Sequence, residues 1–262
     1  MDVVACDHRA LWVWDAPEPE HLVEFSTSRR IGRLFIAVPD NLGSPADLSR
    51  LGRLRSLAAG AGIAVDALGG GWDWIDRPRS IVDQWLTPVV RSGLFAGVHV
   101  DVEPHTHPRW DAARDVVARD YLRLLDELTT TCPPDVRLEV DLAFWHHEVP
   151  VGTSTLDVEV LRRVDAATVL AYRNRADGDD GTIVIAEPAV TSAVALGRPV
   201  RIGQETNDLG EDPVARKQTF HDHTIVQMDR ELAAVSAAFA PRPQFTGIAI
   251  HDHTGYATMA PG

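Results

Sequence analysis

The chain has 262 residues, of which 45% are apolar and 24% charged, and its net charge is -13 with histidine neutral. That composition describes a globular protein long enough for a full core, and apolar runs along the whole length argue against disorder. An acidic surface repels phosphate backbones and anionic lipids, and no apolar run reaches the roughly 18–20 residues that span a bilayer, so neither nucleic acid nor a membrane is an expected partner.

The start, Met1–Ala10, carries Asp2, Asp7 and His8 in place of a basic stretch followed by an apolar one, which predicts a cytoplasmic protein without a secretory leader. Cys6 and Cys132 fit no paired motif and read as two reduced thiols. Of the 25 basic residues 24 are arginine, so any lysine chemistry would fall on Lys217.

Short β-branched runs alternate with longer amphipathic stretches. In chain order the pattern predicts a strand at Ala10–Trp14, a short helix at Glu18–Ser28, a strand at Arg33–Val38 and a helix at Pro45–Ala61. Ser44 is the N-cap of that helix, with Pro at its first position. A strand at Ile63–Leu68 precedes a helix at Arg79–Ser92, which Gly93 stops. The strand at Gly97–Glu103 leads to a helix at Trp110–Thr130, with Val116, Val117, Tyr121, Leu124, Leu125 and Leu128 at helical spacing. Strands at Arg137–Ala143, Ala167–Tyr172, Val200–Glu205 and Gly247–His251 alternate with helices at Ser154–Val164, Gly181–Leu196 and Thr224–Phe239.

Eight strand–helix units in a chain of this length predict one domain over residues 1–262, a parallel (β/α)8 barrel. A doubly wound open sheet is the alternative, but the first strand runs into Trp14-Asp15-Ala16-Pro17 without glycine. No GxGxxG or GxxxxGK[ST] follows any strand, so no nucleotide cofactor is expected.

Alternation within the strands then sorts residues by face. Val98, Val100 and Val102 face the helices, which leaves Gly97, His99, Asp101 and Glu103 inside. Val136, Leu138, Val140 and Leu142 leave Glu139 and Asp141 inside. Val200 and Ile202 leave Arg201, Gly203 and Glu205; Ile248 and Ile250 leave Gly247, Ala249 and His251. Asp66 lies opposite Ile63 and Val65, and Tyr172 closes the sixth strand. Buried carboxylates need partners, and Arg201 could serve Glu139 or Asp141 lower in the barrel. Those at strand tips fall where barrel enzymes carry their active sites.

The segment Gly97-Val-His-Val-Asp-Val-Glu-Pro-His105 places two carboxylates on one strand face, where one can hold a proton and the other tune it. It resembles the Asp-Gly-x-Asp-x-Asp-x-Glu pattern of family-18 chitinase-like glycosidases at Gly97, Asp101 and Glu103, with Ala96 and His99 in place of the earlier Asp residues. The resemblance implies that Glu103 is the general acid and that Asp101 assists the substrate's acetamido group. Leu170-Ala171-Tyr172-Arg173 is similar to that family's Met-x-Tyr-Asp, with Arg173 where Asp is expected. Glu103-Pro104 and Glu205 also resemble the acid/base and nucleophile positions of retaining-clan glycosidases, with Val102 replacing the usual Asn. The LWVW, DALGG, VHVDVEP, LAYR and GQET segments together resemble bacterial glycoside-hydrolase-like barrel proteins.

Tryptophans fit a sugar site, because apolar sugar faces stack on such rings. Trp72, Trp74 and Trp145 are the expected exposed loop residues, while the other rings could wedge between strands and helices. Gly69-Gly70-Gly71 before Trp72 marks a mobile or closely approached loop.

The reading is a glycosidase with Glu103 as general acid, Glu205 as nucleophile or base and Asp101 as helper. Asp66, Asp141, Tyr172, His251, Trp72 and Trp145 would bind a small-molecule or oligosaccharide substrate, with no cofactor and no metal. The oligomeric state stays open. Two alternatives remain: a metal-dependent hydrolase, lyase or isomerase built on His251 and these carboxylates, and a non-catalytic sugar-binding barrel.

Overall fold

The computed structural model describes residues 9–262; Cys6 lies outside the described residues. Eight parallel strands close a barrel in sequence order. They are β1 (Arg9–Val13), β2 (Ile31–Ala37), β3 (Ala64–Gly69), β4 (Gly97–Val100), β5 (Arg137–Ala143), β6 (Ala166–Leu170), β7 (Val200–Glu205) and β8 (Phe245–His251). The crossover helices include α1 (Pro19–Ser28), α2 (Pro45–Gly60), α3 (78–92), α4 (Trp110–Thr131), α5 (Leu156–Leu161), α6 (Thr182–Leu196), α7 (Pro213–Gln218) and α8 (Ile225–Phe239). The expected (β/α)8 barrel is the observed fold. Among the described residues, no helix is long and apolar enough to cross a membrane.

Local chemistry explains the element ends. Ser44 Oγ accepts the Asp47 N–H, and Thr224 and Gln227 form a reciprocal capping box that starts α8. His221 and His223 therefore precede the helix. Gly93 adopts φ 61° and stops α3. Inside α3 the helix widens into a π turn at Val82–Leu86. Pro88 has no N–H for the Gln84 carbonyl, which instead accepts the Asn41 N–H at 2.5 Å. Helix α5 is shorter than predicted because Ser154–Thr155 pairs with Pro150–Val151 in a small hairpin. The stripe of α4 buries Val117, Tyr121, Leu124, Leu125 and Leu128, but Val116 lies off it and faces solvent.

Two apolar cores result from the period-2 alternation. The outer one packs Val98, Val100, Val102, Leu138, Val140, Leu142, Val200, Ile202, Ile248 and Ile250 against the helices, as the strand pattern predicts. The inner one is small and comprises Ala10, Trp12, Phe35, Leu68, Leu170 and Ala249.

Below that inner core the N-terminal halves of the strands carry an ionic layer. Arg33 contacts Asp66 at 2.5 Å, and Arg137 spans Glu139 at 2.5 Å and Asp66 at 3.5 Å. Arg201 reaches Glu139 at 3.5 Å, and the Thr168 hydroxyl donates to the same carboxylate at 2.7 Å. Asp66, expected among the substrate-binding groups, belongs to this floor: its carboxylate is fully buried and held by two arginines.

Candidate active site

The site rises from that floor in steps. His99 lies fully buried on β4, stacked on Phe35 at 3.7 Å and edge-on to Trp12 at 5.5 Å. Its Nε2 is 3.0 Å from Asp141 Oδ2, which also accepts the Trp12 indole N–H at 3.2 Å. Burial holds the His99 imidazole down to about 4, although Glu139, Asp101 and Asp66 pull the other way. It is thus a neutral plug between the ionic floor and the mouth.

Asp101 and Glu103 follow the end of β4, which stops at Val100, three residues before the predicted end. The Asp101 N–H still donates to Gly69 O at 2.9 Å, but Pro104 has no N–H to continue a ladder and starts a 3-10 turn at Pro104–Thr106. Alternation persists, so Val102 is buried outside while Asp101 and Glu103 turn to the mouth side. Asp101 is half-buried, and its Oδ1 is enclosed without a hydrogen-bond partner, as is Asp141 Oδ1. Burial first, and then the neighbouring Asp141 and Glu103 charges, raise the Asp101 carboxyl well above the usual range. Burial and Glu103 do the same for Asp141.

The glycine run before Trp72 is a closely approached loop. A Cβ on Gly70 would sit 1.9 Å from the Asp101 carbonyl oxygen, and one on Gly69 would sit 2.5 Å from the Trp85 ring. Gly70→Ala is therefore expected to push Asp101 out of place. It should cost at least the roughly 1–3 kcal/mol of an overpacked site, read as a lowered Tm. A variant melting with the parent would show that this contact has slack.

Glu205 ends β7, and its carboxylate is fully engaged. Oε1 accepts the backbone N–H groups of Thr206 at 2.8 Å and Asn207 at 2.7 Å, and the Asn207 amide at 2.9 Å. Oε2 lies 2.8 Å from His251 Nδ1. Burial opposes charge on that imidazole, but the Glu205 hydrogen bond and charge, aided by Asp101, lift it to about 9. The Trp14 indole N–H points at His251 Nε2 from 3.1 Å and can only donate, so it favours the neutral ring. The buried carboxylate outweighs a contact to a tryptophan that is 37% exposed, so Trp14 is the partner that yields. Tyr172 stands beside this pair, its ring 6.2 Å from His251. Burial and the surrounding carboxylates keep its phenol protonated.

The expected loop tryptophans separate. Trp72 is 42% exposed, edge-on to His107 at 5.4 Å. His107 is itself fixed by Asp76 at 3.2 Å and by the Arg109 N–H at 3.1 Å. Trp145 is half-buried against His105, His146 and Trp110. Trp74 is not exposed: it is buried against Trp85 at 4.9 Å because the 3-10 turn Trp72–Asp76 folds it inward. Arg173, where the family-18 pattern has Asp, turns to Asp180 at 2.9 Å.

The pattern did not single out His105, which the structure brings to Glu103 with Nε2 3.3 Å from Oε2. Its position two residues on, across a proline, was the available signal. Among the described residues, no three or more His, Cys, Asp or Glu side chains gather as a metal site. Both ring nitrogens of His251, the centre of the metal alternative, face protein groups.

No protein-family model and no curated protein matches the sequence. Solved structures do match the barrel. A chitinase from Bacteroides thetaiotaomicron superimposes with a TM-score of 0.65 at 10% identity, covering 95% of this chain and 90% of that one. An endo-β-N-acetylglucosaminidase from Cordyceps militaris gives 0.62 at 13%, covering 97% and 84%. A GH18 chitinase from Cycas revoluta, solved in complex with (GlcNAc)3, gives 0.56 at 15%, covering 92% and 94%. At such identities the likeness is one of fold: this chain is built on the same (β/α)8 barrel as these glycosidases.

Proposed function

We propose that this barrel is a glycoside hydrolase that cleaves bonds to 2-acetamido sugars, with Glu103 as general acid. The observation that carries the reading is the contrast between two carboxylates. Glu103 stands half-exposed at the mouth beside Asp101, whereas both oxygens of Glu205 are already taken. A nucleophile needs a free oxygen, so Glu205 is assigned instead to hold His251.

Glu103 gives its proton to the leaving oxygen as the bond to the sugar C1 breaks. The substrate's own acetamido oxygen closes on C1, the route open to an enzyme without a protein nucleophile. Asp101 accepts the acetamido N–H and holds it in line. Tyr172 and His251 form the opposite wall, and Trp72 and Trp145 offer rings to neighbouring sugars. Water then attacks C1 and returns a proton to Glu103, so the configuration at C1 is retained. The structural neighbours named as chitinases support this substrate class, as does the match of Gly97, Asp101, Glu103 and Tyr172 to the family-18 pattern.

The test is hydrolysis of 4-methylumbelliferyl chitotrioside against the matching cellotrioside. The acetamido substrate should be preferred by about 10²-fold or more, since removing that group removes the nucleophile. Equal turnover of both would overturn the mechanism. Saturable binding of both without turnover would assign a sugar-binding barrel.

A further inference from the structure

We propose that His105 is a positioning residue for the acid: it donates its Nε2–H to the Glu103 carboxylate and so stabilises Glu103 in the deprotonated half of the cycle. This rests on the reading of Glu103 as general acid. The contact is short-range and local. The turn Pro104–Thr106 folds His105 back so that Nε2 lies 3.3 Å from Glu103 Oε2, with the two side chains 27% and 36% exposed on the same mouth.

The tautomer follows from the other nitrogen. Nδ1 is enclosed without a partner. A stranded N–H is worse tolerated than a stranded lone pair, so the proton sits on Nε2, facing the carboxylate. The ring cannot readily turn away. Trp145 packs edge-on at 5.1 Å and His146 lies at 6.3 Å. His146 is 1% exposed with neither nitrogen partnered, and burial pushes it down to about 3, so it adds no charge near neutral pH. Burial also outweighs the Glu103 charge on His105 and keeps it below its ordinary value, which makes it a neutral donor.

The cycle gives that donor a purpose. Glu103 must release a proton and then reclaim one, and its half-buried carboxylate is ionised between those two events. A hydrogen bond to the ionised form favours that form, and His105 Nε2 is the donor within reach of Glu103 Oε2 at 3.3 Å.

Nitrogen-15 side-chain NMR of histidine in the full chain tests this directly, with His105→Gln used to assign the signal. At pH 7.5 the signal should show the Nε2–H tautomer, and Glu103→Gln should lower the His105 pKa by about half a unit to one unit as the negative charge goes. An Nδ1–H tautomer, or a pKa that ignores Glu103→Gln, overturns the proposal whether or not any glycoside is cleaved. On a cleaved glycoside, His105→Ala should move the alkaline limb of kcat/KM up by about one pH unit, because the acid form of Glu103 persists longer. His105→Gln, which keeps an N–H, should bring the limb most of the way back to its parental position. A slower enzyme with an unmoved limb would mean that His105 only shapes the loop. Loss of all hydrolysis in the parent would sink the glycosidase reading and leave the NMR result standing.

Discussion

Glu103→Gln is expected to lower kcat/KM on an unactivated oligosaccharide by about 10²–10⁴, the usual contribution of a positioned general acid. Glutamine keeps the shape of the side chain and its contact with His105, and Glu103 is only half-buried, so the fold should be unchanged. What is lost is the proton. A substrate whose leaving group needs none, such as a dinitrophenyl glycoside, should therefore lose much less in the bond-breaking step than an alkyl glycoside. Comparing the two leaving groups on the same variant separates acid catalysis from binding. A Glu103→Gln enzyme with parental rates on the oligosaccharide would remove Glu103 from the mechanism.

The largest stability effect is expected in the floor. Glu139→Gln leaves Arg137 and Arg201 facing one another without the carboxylate between them. Breaking such a buried network by removing one charge typically costs about 3–5 kcal/mol. For a chain of this size, that is a fall in Tm of about 6–20 °C. The pH dependence has a definite sign. Burial alone would raise the Glu139 carboxyl, but Arg201 and Arg137 overcome it and hold the group down to about 2. A carboxylate depressed in the folded state stabilises above its unfolded pKa of about 4.3, and that contribution fades as pH falls towards 2. The gap between parent and variant should thus be full at pH 7 and much smaller at pH 3. Thermal melts at the two pH values measure it. An unchanged gap would mean that the effect is packing and not charge.

Much of this was legible before any tertiary information. The β5 sequence Arg-Leu-Glu-Val-Asp-Leu-Ala puts Leu138, Val140 and Leu142 in the outer core and Glu139 and Asp141 inside, and period 2 alone dictates that split. Ser44 and Thr224 mark helix starts because their hydroxyls accept N–H groups that the helix cannot pair. Alternation gives a residue's face, however, not its height along the barrel. Height depends on how neighbouring strands are staggered, and Asp66↔Gly97↔Arg137 register lowers Asp66 into the ionic floor. Trp74 was misread as exposed for a similar reason. Its burial comes from a 3-10 turn that packs it on Trp85, 11 positions away in the chain but adjacent in space.

The sequence by itself therefore determined the barrel, the inward set and the pairing of Asp101 with Glu103, because these follow from spacing along one strand. Only the tertiary structure decided which carboxylates have free oxygens. Glu205 looks as available as Glu103 in one dimension. It is occupied because Thr206, Asn207 and His251 converge on it from two strand ends. Hydrogen-bond satisfaction is a property of groups brought together by folding, and no local pattern encodes it.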